Sequence, residues 1–519
     1  LNSKAPVQRE MILHFFSEAK GTDRVAWLTF SKKYNLSISA RNSLVAKQIF
    51  KLEYIATDRI KPKIEAEQFY ELTKVQRDAE ASINEGLSQS KPVLLHGLTG
   101  SGKTMLYISA IERELEKGNQ VLFLLPEIAL THSLWSRINK RFPGKVVAFS
   151  SQLNANERTE LWHKVRNNHS TAQVVVGARS ALLLPFKRLG LIVVDEEHDS
   201  SFKQHDPAPR YHARDVAVFL SYKVKCGIIL GSATPSLESL YNCGFGGNKN
   251  PKYHYVYLGE RYGVEGLPQI QLLDLKNLKK RKQLKSWISE PVIQAVTSTI
   301  SEGMQVLFFQ NRRGYSSLIE CLECGFIPGC KNCDVSLTYH RSDQSLRCHY
   351  CGYKEPVSLS CSKCQSKSLD KHGLGTQQIE MLLRDLFPEL TVARMDRDTL
   401  KGKLGHQELL ERFDRGEVQL LVGTQMVSKG IDFKNIGLVV VLSADQLVHR
   451  ADYRAHERAA QQLLQVAGRA GRSGTKPTQV SIQTYDPGNT VLQNVLKRTY
   501  LSFAENELIE RKEFHYPPF

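Results

Sequence analysis

The chain has 519 residues, 41% hydrophobic and 24% charged, and its 70 Lys and Arg against 53 Asp and Glu give a net charge of +17. That length exceeds what one hydrophobic core serves and predicts about three or four domains. No apolar run of about 18 residues predicts a membrane span, and LNSKAPVQRE lacks the apolar core of a signal peptide. A cytoplasmic protein without a membrane partner is expected, and the basic excess points to a polyanionic one. Leu1 in place of Met and the aromatic ending HYPPF read as the ends of a fragment.

Residues 6 to 58 carry short amphipathic runs, REMILHFFSEA and SLVAKQIFKLEYI, before LEYIATDR. This predicts three helices closing on a β wing, with a helical linker bundle as the alternative. The expected first domain, 1–60, is therefore a winged-helix-like DNA-binding segment, followed by the linker KPKIEAE. From residue 70 the pattern changes to near-continuous apolar strands (PVLLHG, VLFLLP, VVVGA, LIVVDE, GIILGS) separated by helical stretches, which predicts an α/β domain with a covered parallel sheet. A second series (QVLFFQN, VARMD, QLLVGT, LVVVLSAD, VSIQTYD) runs from about 290 to 485. The expected boundaries are 61–245 for an ATP-binding first lobe and 246–320 for a linker and the start of a second. A cysteine insertion at 321–370, the remainder of the second lobe at 371–485 and the start of a truncated C-terminal region at 486–519 complete the division. The basic run LKNLKKRKQLK at 275–285 is expected to be a solvated loop, the alternative being a nucleic-acid contact.

GLTGSGKT, comprising Gly97, Leu98, Thr99, Gly100, Ser101, Gly102, Lys103 and Thr104, follows an apolar strand and precedes a helical stretch. Strand, GxxxxGK[ST] and helix in that order form a phosphate loop: glycines let backbone amides close around phosphate, and the helix N-terminus adds its positive end. Lys103 is expected to reach the β and γ phosphates and Thr104 to ligate Mg²⁺. The strand ending in DEEH then supplies Asp195 for Mg²⁺ and Glu196 to orient the attacking water, and a divalent cation relieves the crowding of the carboxylates. His198 would pass the nucleotide state to GSATPS, with Ser232 and Thr234. No independent physical role for Glu197 is legible in the sequence.

In the second series QVAGRAGR places Arg469 and Arg472 three residues apart, where both guanidinium groups can face a developing charge on the γ-phosphate. GTQMVSKGIDF offers Thr424, Ser428 and Lys429 for a phosphate backbone. Of ten cysteines, eight form four CxxC pairs within 321–364, a clustering that in a long chain without a secretory signal favours metal over disulfides. Cys330, Cys333, Cys348 and Cys351 have zinc-ribbon spacing. Cys321, Cys324, Cys361 and Cys364 would then meet around that ribbon as a second site, whereas sequential pairing of neighbouring knuckles leaves only five residues between them. Two Zn²⁺ in closed thiolate sites suggest a structural role.

The motif order GSGKT, PEIALT, GARSA, DEEH, GSATPS, GTQMVSKG and QVAGRAGR resembles that of superfamily 2 helicases. LLPEIALT, VVVGARSALLLPF, VVDEEHDSSFKQ, RYHARDVA, NRRGY and the cysteine insertion resemble, more narrowly, the bacterial primosomal helicases of the PriA family, over residues 6–519. The resemblance implies two RecA-like lobes and an ATP-dependent 3′-to-5′ DNA helicase that recognises stalled or abandoned replication forks and reloads the replicative helicase. It also implies nested zinc sites, and forked and single-stranded DNA, primosome proteins and single-stranded-DNA-binding protein as partners. Relative to that family, the domain that captures a 3′ DNA end and the C-terminal domain are expected to lie outside this chain. Gln377 and Ile431 depart from the acidic residue and histidine common there.

Within this frame Gln76 would select adenine. PEIALT, Arg179, Phe202, Lys203, Thr424 and Lys429 are candidates for DNA contact, and in the loop SSFKQHDPAPRYH the rings of Phe202 and Tyr211 would either stack on bases or pack on the sheet. An RNA-directed helicase or remodeller would share every ATP motif, and a zinc-ribbon scaffold with an inactive motor is the non-enzymatic alternative.

Overall fold

The computed structural model describes residues 6–19, 24–52, 71–126, 133–150, 153–260, 268–310, 319–333, 335–340, 343–370, 375–395, 403–424, 433, 435–449, 452–470 and 478–519. It divides into two units, 1–61 and 62–519.

The first unit contains α1 (Pro6–Ala19), α2 (Trp27–Lys33) and α3 (Ile38–Ala46). Ser37 caps α3 by accepting from the Ala40 amide, and Met11, Phe30, Ala40 and Leu44 form a small core with Phe15 and Phe50 around it. The three helices are those expected; of LEYIATDR, where the segment is expected to close on a wing, all but Leu52 lies outside the described residues.

The second unit opens with α4 (Lys74–Ser88), started by a capping box in which Thr73 accepts from the Gln76 amide and Gln76 reciprocates. Its buried positions, Gln76, Ala79, Ile83 and Gly86, recur every three or four residues and so face one way. Then follow β1 (Val93–Gly97), α5 (Lys103–Glu116), β2 (Gln120–Leu124), α6 (Ser133–Arg141), β3 (Val146–Phe149), α7 (Ala155–Arg166), β4 (Val174–Gly177), β5 (Leu189–Asp195), α8 (Ala213–Val224), β6 (Gly227–Ser232), α9 (Leu237–Asn242) and β7 (His254–Leu258). All seven strands pair in parallel in the order β3-β4-β2-β5-β6-β1-β7. The central strands are buried at every residue or nearly so, which is why they read as unbroken apolar runs.

A second parallel sheet, β17-β18-β11-β19-β20-β8, is built from β8 (Gln269–Asp274), β11 (Gln305–Phe309), β17 (Val392–Met395), β18 (Leu420–Gly423), β19 (Ile436–Val441) and β20 (Gln479–Thr484). Between β8 and β11 come α10 (Leu275–Lys280), the hairpin β9 (Leu284–Lys285) and β10 (Ile288–Ser289), and α11 (Glu290–Ser301). The cysteine insertion carries β12 (Glu320–Cys321), β13 (Thr338–His340), β14 (Ser345–Arg347), β15 (Lys354–Pro356) and β16 (Leu369–Asp370). The helices α12 (Thr376–Leu386), α13 (Lys403–Asp414), α14 (Asp445–Val448), α15 (Ala455–Ala467), α16 (Thr490–Lys497) and α17 (Tyr500–Glu513) complete the unit.

Three expectations change. The first lobe does not close at 245, because β7 forms the edge of its sheet beside β1. Like β3 and β8, β7 is an edge strand, more open on one side than the central strands, so its sequence lacks the continuous apolar signal. The basic run at 275–285 is no loop: it forms α10 and the start of a hairpin, and Lys279 Nζ donates to Leu322 O at 3.1 Å and pairs with Glu323 at 2.8 Å, binding the lobe to the cysteine insertion. Residues 486–519 fold back as α16 and α17. In α17, Tyr500, Phe503, Ala504, Glu507, Leu508 and Arg511 are buried along one face.

Candidate ATP site and metal centres

The parallel register brings the nucleotide motifs to one edge of the first sheet. Asp195 lies level with Gly231, and His96 with Ser232, so the ends of β5, β6 and β1 sit side by side where ligands of such sheets bind. After β1 the chain turns through 98–102 into α5, whose N-terminal amides are oriented for phosphate. Gly102 has φ 88°, and a Cβ there would overlap the Gln76 amide, so both the turn and the contact need glycine. Gln76 Nε2 donates to Ser101 O at 3.2 Å while its oxygen caps α4. The side chain expected to select adenine is thus a tie between α4 and the phosphate loop.

Lys103 Nζ donates to Gly97 O at 2.7 Å, and Thr104 stands half-buried in the first turn of α5. Asp195 accepts from Tyr107 Oη at 2.9 Å. Burial and the neighbouring Glu196 carboxylate push the Asp195 carboxyl up to about 6, against the pull of Lys103. A carboxylate held at that cost suits a divalent cation, and Thr104 with Asp195 is a fitting donor set for Mg²⁺. Glu196 sits at φ 52°, a left-handed conformation that a non-glycine residue rarely adopts, immediately after the strand.

The second lobe reaches this edge through the C-terminal end of α15. Gln465 Nε2 lies 3.2 Å from Glu196 Oε2 and 2.9 Å from His198 Nε2, and His198 Nδ1 lies 2.7 Å from Ser232 Oγ. With the Gln465 amide donating to Nε2, the proton of a neutral His198 sits on Nδ1 and faces Ser232. A Cβ on Gly468 would stand 3.1 Å from Thr99 of the phosphate loop, a close approach that glycine permits. Arg469 follows, buried; Arg472 lies outside the described residues. Thr234 is buried one residue beyond Ala233, and its amide donates to Ser232 Oγ at 2.9 Å.

The cysteines meet as two nested sets: Cys321, Cys324, Cys361 and Cys364, and Cys330, Cys333, Cys348 and Cys351. Sγ separations are 3.6 Å for Cys321 and Cys364, 3.7 Å for Cys324 and Cys361, and 3.5 Å for Cys330 and Cys351. A tetrahedral zinc with bonds of about 2.3 Å sets thiolates about 3.8 Å apart, whereas a disulfide needs about 2 Å. Burial pushes the Cys324 thiol up to about 12, whereas the Cys361 thiol, against its burial, is brought down to about 7 by hydrogen bonds from the Cys364 and Lys363 amides; a cation favours the thiolate form of both. Both sets fit Zn²⁺. A further group, His456 with Glu507 and Glu510, lies beside the Arg511 guanidinium, 3.5 Å from Glu507, which supplies positive charge there already.

Sequence comparison agrees with this geometry. The families described as DEAD/DEAH box helicase, PriA DNA helicase Cys-rich region (CRR) domain and helicase conserved C-terminal domain match residues 73–243, 330–356 and 363–474. The replication restart protein PriA of Bacillus subtilis (strain 168) is 39% identical over the whole chain, which spans 64% of that protein. The Synechocystis protein of the same name is 44% identical over 88% of the chain and 55% of its own length. That of Rickettsia conorii is 39% identical over 86% of the chain and 67% of its own length. The chain belongs to the PriA family. It spans about three fifths of the length of the relatives just compared.

For a PriA-family chain the most informative finding concerns Glu197, which the sequence places in the motif without a physical role of its own. Fully buried, its carboxylate accepts from Ser236 N at 2.6 Å, Ser236 Oγ at 3.0 Å, Ser239 Oγ at 2.9 Å and Arg214 Nη1 at 3.0 Å. It staples the DEEH turn to the start of α9 and to α8. The pattern S-L-E-S at 236–239 signals a helix cap, but its carboxylate partner lies 39 residues upstream and is invisible to local reading.

The DNA candidates separate. Phe202 is 1% exposed, so its ring belongs to the core and is closed to a base, which corrects the stacking expectation. Arg179 Nη1 donates to Lys203 O at 3.0 Å, Lys203 Nζ to Arg210 O at 2.8 Å and Tyr211 Oη to Arg179 O at 3.4 Å. GARSA and the loop after DEEH are therefore braced against each other. Thr424 is buried at the end of β18. Residues 127–131 of PEIALT, together with Ser428, Lys429 and Ile431, lie outside the described residues.

Proposed function

We propose that this chain is an ATP-dependent 3′-to-5′ DNA helicase motor that acts at stalled or abandoned replication forks and promotes restart through primosome assembly. The observation that carries the reading is Gln465: one side chain of the second lobe touches both Glu196 and His198 at the edge where the phosphate loop opens. Closure of the lobes thereby completes a site assembled from both, the arrangement an ATP-driven motor requires.

In this reading Lys103 leaves Gly97 O for the β and γ phosphate oxygens, and the amides of 98–104 cradle the remainder. Thr104 and Asp195 would hold Mg²⁺, which would supply positive charge beside the phosphates. Glu196 orients the attacking water. Arg469 and Arg472 stabilise charge developing on the γ-phosphate, and His198 relays the change to Ser232. The basic chain would grip forked and single-stranded DNA through its backbone, with little sequence preference and a steep salt dependence. The two zinc sites would hold the insertion rigid on the second lobe. Primosome proteins and single-stranded-DNA-binding protein are the partners proposed, and the cytoplasm the location; among the described residues no helix is long and apolar enough to cross a membrane.

Phosphate release measured with forked, single-stranded and duplex DNA and with RNA tests this reading. The expected result is strong stimulation by fork and single strand, loss of turnover in Lys103→Ala and Glu196→Gln, and decline with salt. Turnover that survives either substitution, or that RNA stimulates best, overturns it.

A further inference from the structure

The segment joining β6 to α9, residues 233–237, has a backbone group of every residue held by a different side chain. Ala233 O faces His96 Nε2 at 3.2 Å, and His96 Nδ1 in turn meets Tyr255 Oη at 2.8 Å. Thr234 O accepts from Gln461 Nε2 at 3.4 Å and Pro235 O from Tyr500 Oη at 2.6 Å. Ser236 N donates to Glu197, and Leu237 N to Glu457 Oε1 at 3.0 Å. Two of the five holding groups come from the first lobe's nucleotide edge. The other three are Gln461 and Glu457 of α15, in the second lobe, and Tyr500 of the terminal helix α17.

The terminal helix enters this arrangement twice. Tyr500 is buried at its start, and Arg511, three turns on and 1% exposed, donates from Nη2 to Glu457 Oε2 at 2.8 Å. Burial alone would raise the Glu457 carboxyl; Arg511 and Arg454 hold it below its ordinary value, so it stays an anion aimed at the N-terminus of α9. The same helix also touches the first lobe directly, since Glu505 accepts from the Gly246 amide at 2.9 Å. No nucleotide motif lies in α17, yet the segment beside Ser232 cannot shift without breaking a hydrogen bond to Tyr500 or to the carboxylate that Arg511 braces.

We propose that Tyr500 and Arg511 of α17 are positioning residues that clamp the 233–237 segment and thereby set how strongly bound DNA accelerates ATP turnover. The proposal rests on the reading of the chain as a DNA-stimulated ATPase. Buried groups that share partners in this way couple at levels that change an equilibrium or rate by about 2- to 30-fold when one is altered. A helix that merely packs would alter stability and leave the response to DNA intact.

Tyr500→Phe in the full chain separates these roles, because it keeps the buried ring and removes only the hydroxyl. ATP turnover is read against single-stranded DNA and ATP concentration, alongside DNA binding by anisotropy and the melting temperature. The expected result is a fall of about 2- to 30-fold in the ratio of DNA-stimulated to DNA-free turnover, with KM for ATP and DNA affinity unchanged. Arg511→Lys, which keeps the charge beside Glu457 and gives up the fork geometry, should show a smaller fall of the same kind, and it carries the test if Tyr500→Phe does not fold. Parental stimulation in the folded variants overturns the proposal, whether or not their melting temperature drops. A parent chain that DNA does not stimulate overturns the functional reading itself.

Discussion

Glu197→Gln keeps the shape of a fully buried side chain and removes its charge. The amide oxygen can still accept from Ser236 N, but the NH₂ group then faces Arg214 Nη1, Ser236 Oγ and Ser239 Oγ, where the carboxylate accepted at 2.9 to 3.0 Å. Burial disfavours the Arg214 charge, and Glu197 with Asp215 and Glu238 sustains it. Breaking a buried pair from one side costs about 3–5 kcal/mol. Asp215 stays with Arg214 at 2.8 Å, although its own side chain is 60% exposed, so the lower end of that range, about 3 kcal/mol, is expected. For a lobe of this size each kcal/mol moves the melting midpoint by about 2–4 °C, so the first-lobe transition should fall by about 6–12 °C. Calorimetry with and without nucleotide measures it. The double variant Glu197→Leu/Arg214→Met removes both charges and should be more stable than Glu197→Gln alone, because no ion is then stranded. A midpoint for Glu197→Gln within about 2 °C of the parent, or a double variant that loses the sum of the single effects, would refute the reasoning.

Metal analysis should find two zinc ions per chain, with Cys330→Ser and Cys361→Ser each retaining one; a parent with a single ion, or either variant with two, contradicts the nested assignment. Phe202→Ala should cost the first lobe about 3–5 kcal/mol, seen as a lowered urea midpoint, because the ring is core and not a platform for bases. Undiminished stability combined with weakened DNA binding would restore the stacking role.

The sequence made one half of the site legible. GLTGSGKT and DEEH are each contiguous, their chemistry is set by residue type and spacing, and each begins at the end of a buried strand whose apolar run is itself a local signal. CxxC knuckles are local too, and the ribbon spacing of Cys330, Cys333, Cys348 and Cys351 was enough to predict one set. The edge strand His254–Leu258 was not legible, because a strand open on one side carries a mixed pattern.

What only the tertiary structure decided are the pairings across distance. Glu197 finds Ser236 and Arg214, Gln465 finds Glu196 and His198, and Tyr500 finds Pro235, each bond joining elements whose separation in the chain bears no relation to their separation in space. Phe202 shows the same limit from the other side: an aromatic next to a lysine in a loop reads equally as a base-stacking ring or as core, and only burial distinguishes them. Residue type and short spacing fix which chemistry a segment can perform. The parallel register, which sets Asp195 level with Gly231 and His96 with Ser232, fixes which segments perform it together.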